Sequence, residues 1–278
     1  MNRYHFLLTR RWLTILLVAI LVAAVCVMLG RWQWNRHESR AAANNLVTTN
    51  YDAPPVALDT LVEVPGSVPA GTVWLPVEVT GQFVGEQLTL RNRPVEGSDS
   101  TRVLAVLEVT TDDGGALVVV DRGWLAGEST VPPAYPQGQV PVTGRLRQAE
   151  PVDTRSAPAG QVFRIDPATV LAAADVQADL PVLDGYLLAE VPPLPASATG
   201  AELQQFPRPA TDPGSHLSYA FQWWVFAAGA LVGTGILARR EAADLAGSPA
   251  PAKRRSTDAD AEDAIVDAQL TVSSRRDT

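Results

Sequence analysis

The residues best suited to chemistry stand together at the start of a long apolar run: His216, Leu217, Ser218, Tyr219, Ala220, Phe221, Gln222, Trp223 and Trp224. On a helix, His216, Tyr219 and Trp223 (i, i+3, i+7) share one face. That face offers an imidazole with aromatic surface beneath it. Haem iron takes imidazole as an axial ligand and its macrocycle needs a flat apolar wall, so this spacing allows haem contact. The plainer alternative is an interfacial histidine that hydrogen-bonds lipid headgroups or backbone. Other chemistry is poorly provided for. No Gly-x-Ser-x-Gly elbow, P-loop or His-Glu-x-x-His motif occurs. The single cysteine, Cys26, excludes an intramolecular disulfide and any paired-thiolate metal site. Asp112 and Asp113 fall in an expected turn, where solvation explains them better than acid–base catalysis. No enzymatic activity is expected.

Two elements must position the histidine. Residues 12–29 and 217–238 are apolar and uncharged. As helices they are roughly 27 and 33 Å long, against a hydrocarbon core of roughly 30 Å. The first is longer than a signal-peptide core and lacks a small-x-small cleavage site, so it reads as a retained anchor. Charge sets the orientation. Arg3, Arg10 and Arg11 precede the first span, and Arg239, Arg240, Lys253, Arg254 and Arg255 follow the second. Positive flanks stay in the cytoplasm, so both termini (1–11 and 239–278) are expected there. The expected location is the plasma (inner) membrane, with residues 31–216 extracytoplasmic. Trp12, Trp32, Trp34, Trp223 and Trp224 sit near span ends, where indoles favour the interface.

Residues 31–216 carry 12 Arg, no Lys and 22 acids, a net −10 that excludes a nucleic-acid partner. Period-two alternation at Val73, Leu75, Val77 and Val79, then at Val103, Ala105, Leu107 and Val109, predicts strands. Asp112-Asp113-Gly114-Gly115 predicts a hairpin into residues 116–122. Strands are also expected over 140–147 and 186–191. Asp166-Pro167 opens one short helix through Ala174. The expected fold is a membrane protein with two transmembrane helices flanking a mainly antiparallel β domain over 71–192, a compact sheet or small barrel. Residues 30–70 are expected as a juxtamembrane segment and linker, 193–216 as a Pro-rich linker, and the tail after 239 as disordered.

Five strings in order then resemble a known family. Gly30-Arg31-Trp32-Gln33-Trp34-Asn35-Arg36 resembles the Gly-x-Trp-Gln-x-x-Arg signature of the Surfeit locus protein 1 family. Gly81-Gln82-Phe83 with Asn92-Arg93, and residues 118–125 (Val-Val-Val-Asp-Arg-Gly-Trp-Leu), are similar to further family strings. Gly144-Arg145-Leu146-Arg147 and His216-Leu217-x-Tyr219-Ala220-x-Gln222-Trp223 complete the series, which spans about residues 10–240. Asp121 departs from the family's usual Asn.

The resemblance implies an assembly factor for haem–copper cytochrome c oxidase that assists haem a insertion or stabilises a nascent catalytic subunit. It makes His216 the candidate iron ligand. Trp32 and Gln33 are expected near it, with Trp32, Tyr219, Trp223 and Phe221 giving apolar contact and Arg31, Arg36 or Arg122 pairing with propionates. The implied partners are the oxidase catalytic subunit, haem a synthase and the lipid bilayer. The alternative is a scaffold that binds no haem and docks on the oxidase through exposed strand edges, an acidic surface and Arg122-Gly123-Trp124.

Overall fold

The computed structural model describes residues 4–90, 93–111, 114–127, 131–190 and 202–247. Its helices are α1 (Arg10–Asn50), α2 (Pro167–Ala173) and α3 (His216–Leu245). Its strands are β1 (Val56–Ala57), β2 (Gly66–Ser67), β3 (Pro76–Leu90) and β4 (Ser100–Thr111), then β5 (Gly114–Ala126), β6 (Gln139–Gln148), β7 (Gln161–Val162) and β8 (Val182–Ala189). The chain divides into two units, residues 1–35 with 215–278, and residues 36–214.

In the first unit α3 runs antiparallel to the first part of α1. Arg11 meets Glu241 at one end (3.5 Å), and Gln33 meets His216 at the other. Ala23, Cys26 and Ala227 are buried in the seam, with Trp223 against them. Small side chains let two backbones approach closely. Leu17, Ile20, Leu21, Phe226 and Val232 remain exposed on the outside. Both helices are long and apolar enough to cross a membrane.

Both helices outrun their expected ends. α1 continues from Leu29 to Asn50 because residues 31–50 are rich in helix formers and the first proline is Pro54. Residues 30–50 are therefore helix, not a linker. α3 passes Ala238 through Arg239, Arg240 and Glu241 to Leu245. The disordered-tail expectation falls largely on residues 248–278, outside the described residues.

The second unit is a closed barrel. β3 pairs antiparallel with β4 and with β6, β4 with β5, and β6 with β8, and the parallel pair β5–β8 completes the ring. The alternation predicts which face each residue takes. Val77, Val79, Phe83, Ala105, Leu107, Val118 and Val120 fill the interior. Leu104, Val106, Leu117 and Val119 point outward, where Val170 and Leu171 of α2 cover them. β5 is thus buried on both faces, and its sequence reads as a near-continuous apolar run. The register shifts by two residues between Val84 and Leu88, which keeps the alternation, so Leu88 and Leu90 share the α2 side with Val84. Thr111 pairs with Gly114, so the expected hairpin forms, although Asp112 and Asp113 lie outside the described residues. Asp166 caps α2 by accepting from the Thr169 amide (2.9 Å), with Pro167 next, worth about 1 kcal/mol.

The segments leading into and out of the barrel are tied down. Asn50 donates to the carbonyls of Gly71 and Val73 (both 2.8 Å). Arg40 and Asn44 donate to the carbonyls of Asp212 (2.7 Å) and Thr211 (2.9 Å). Arg208 pairs with Asp52 (2.9 Å). The segments expected as linkers, 41–70 and the described part of 192–213, thus carry hydrogen bonds and an ion pair within the unit. Residues 191–201 lie outside the description.

Candidate functional site

The Gly-x-Trp-Gln string lies on α1, where positions three and four apart share a face. Gly30, Gln33 and Trp34 therefore point one way. Three contacts with α3 follow. Gly30 lies against the indole of Trp224, so that any Cβ at residue 30 would overlap the ring. Trp34 packs on the same indole, with centroids 5.9 Å apart. Gln33 Oε1 lies 2.9 Å from Nδ1 of His216. Two strings 183 positions apart thus meet at one end of the helix pair.

His216 is the first residue of α3 and is half-buried. Trp223 lies two turns on along the same face and packs into the seam, with its ring edge-on to Phe226. Tyr219 (48% exposed) and Phe221 (54%) present open aromatic surface on α3. Trp32 does not join them. One residue from Gln33, it is turned about 100° away on the helix and is 56% exposed. Arg31 and Arg36 are exposed on α1.

The donor set suits one kind of metal chemistry. Among the described residues no group of three His, Cys, Asp or Glu is placed to hold a bare metal ion. A single imidazole beside aromatic surface suits a metal that arrives in its own macrocycle. His216 fits that role because its Nδ1 is occupied by Gln33, which leaves Nε2 as the nitrogen available to a metal.

Arg122, Gly123 and Trp124 fall in the second unit and are buried. Val103 pairs with Gly123 and Leu104 with Asp121, so Arg122 is the extra residue of a β-bulge. Its side chain is 0% exposed and donates to Gln87 Oε1 and to the Pro133 carbonyl, with Phe83 under the guanidinium. Burial pushes it down to about 10, so it remains a cation at neutral pH. Nε and Nη2 have no acceptor among the described residues. Gly123 adopts φ +129°, and a Cβ there would meet the Gln204 carbonyl. Trp124 is 9% exposed, exchanges backbone hydrogen bonds with Gln204 (3.1 and 2.8 Å), and donates from Nε1 to the Gln205 carbonyl (3.2 Å).

These residues hold the exit segment on the barrel, and their contacts are with this chain. The expected partner contact at Arg122-Gly123-Trp124 loses its surface, and so does a propionate contact at Arg122. Strand closure likewise removes the exposed barrel edges that the scaffold alternative relied on.

Asp121 stands where the resembled string has Asn. It is fully buried and pairs with Arg102, whose guanidinium also lies 4.6 Å from the Phe206 ring centroid. Burial pushes the Asp121 carboxyl up, and Arg102 pulls it back only in part. Neither this pair nor the partnership of Gln33 with His216 is evident from composition. The signal for the second is the recurrence of Ala19, Ala23, Cys26, Gly30 and Gln33 every three or four residues.

The sequence model of the SURF1 family matches residues 20–228. SURF1-like proteins of Mycobacterium tuberculosis and Mycobacterium bovis are 34% identical to the chain over 269 residues, covering 91% of it and 94% of their own length.

Proposed function

The chain belongs to the SURF1 family, and from that premise we propose that it is a membrane-anchored assembly factor for haem–copper cytochrome c oxidase. Its task is to hold haem a through His216 while the haem passes into the catalytic subunit. One observation carries this reading: His216 meets Gln33 through Nδ1, which leaves Nε2 as a directed donor beside open aromatic surface.

Haem a is apolar and prone to aggregate, so it travels best under cover. Two lipid-buried helices meet a membrane-bound haem a synthase and an integral oxidase subunit in the same bilayer. A single protein ligand gives a hold that can be released. Tyr219, Phe221 and Trp223 supply apolar contact to the macrocycle, and Arg31 is available to its propionates. Arg10 and Arg11 before the first span, with Arg239 and Arg240 after the second, support cytoplasmic termini in the plasma membrane. His216 and the barrel then lie on the extracytoplasmic side.

The test is complementation in cells that lack this chain. His216→Ala is expected to accumulate in the membrane as wild type does, yet to leave the oxidase short of haem a. Full haem a content in the oxidase of the His216→Ala strain would contradict haem delivery and return the chain to a scaffold role.

A further inference from the structure

The nitrogen of His216 that faces Gln33 fixes what the other nitrogen can do. Nδ1 lies 2.9 Å from Gln33 Oε1. A carbonyl oxygen only accepts, so Nδ1 carries the ring proton and donates it. A neutral imidazole has one such proton, and Nε2 is left with the lone pair. Gln33 is itself held in place, because Gly30 and Trp34 on the same face of α1 grip Trp224 of α3. The register that seats the indole also seats the amide under the imidazole.

A carboxylate in this position would draw the ring proton toward itself and make the imidazole a stronger ligand. The acceptor here is a neutral amide. It fixes the ring's orientation and tautomer without adding charge. A carrier must let go, so a directed but unstrengthened ligand is the suitable one.

We propose that Gln33 is a positioning residue that presents Nε2 of His216 to haem iron and, being a neutral amide, keeps that hold reversible. The inference rests on the reading of His216 as a haem ligand, and the experiment separates the two.

The full-length chain in mild detergent is loaded with ferric protoporphyrin IX. Two quantities are then read: the rate of haem loss to excess apomyoglobin, and the iron–histidine stretching band of the reduced form by resonance Raman. Gln33→Leu is expected to speed loss about tenfold and to lower the band frequency, since outer partners of ligating histidines typically contribute 10–100-fold to affinity. Gln33→Glu, which keeps the side-chain length if the leucine variant fails to accumulate, is expected to slow loss and raise the band. If both variants keep the wild-type rate and band while His216→Ala loses the band, Gln33 has no positioning role and the ligand reading stands. If the wild type shows no iron–histidine band, or His216→Ala retains it, the ligand reading itself falls.

Discussion

Arg102 and Asp121 form a buried ion pair, and Arg122, the next residue, is a buried cation that pairs with no carboxylate among the described residues. The two arginines should respond differently to removal. Arg102→Met leaves a buried carboxylate uncompensated and is expected to lower stability by about 3–5 kcal/mol at pH 7. Arg122→Met leaves no charge behind and should lower it by less. The first effect depends on pH in a definite direction. Without Arg102 the Asp121 carboxyl, already raised by burial, rises further and takes up a proton on folding. Its contribution is fully present below the ordinary carboxyl value of about 3.9 and is lost as pH rises through the folded value. The stability gap between Arg102→Met and wild type should therefore narrow as pH falls toward 4, as read by thermal unfolding in mild detergent. An unchanged gap between pH 7 and 5 would show that Asp121 is not the group left stranded.

At this scale the site is partly legible. The stripe His216, Tyr219, Trp223 follows from helical spacing, and α3 displays it. Of the two residues expected beside His216, Gln33 meets it, and Trp32 is turned off the seam by one position of helix rotation. Nothing in the residue types 122–124 says that they are buried. That depends on a bulge, and a bulge is set by how β5 pairs with β4.

Among the elements, the strand ends and helix ends tell the same story. Local features are readable: the β4–β5 hairpin from its turn residues, α2 from its capping acid and proline, the two long helices from their apolar runs. Closure of the barrel is not, because β3–β6 and the parallel β5–β8 pairing join segments far apart in sequence, with no local signal. α1 outruns its apolar run because the polar residues after Leu29 still favour helix. Gly123 tests how the exit segment is held. Its φ of +129° and its approach to the Gln204 carbonyl leave no room for a side chain. Gly123→Ala is expected to cost about 1–3 kcal/mol and to expose residues 202–214 to limited proteolysis. An alanine variant as resistant as wild type would show that Trp124 alone pins the segment.

For the molecule as a whole, the labour is divided between the two units. The candidate ligand belongs to the helix pair, and the barrel closes its own edges and buries its own motif. The acidic balance of residues 31–216 and the family fit the oxidase-assembly role proposed for the chain. The most direct measurement is the absorption spectrum of the full-length chain purified in mild detergent from cells that make haem a. The expected result is a haem a spectrum that accompanies the wild-type chain and is lost in His216→Ala at equal yield. A wild-type chain that sustains oxidase assembly yet carries no haem, or a His216→Ala chain with an unaltered spectrum, would contradict the account.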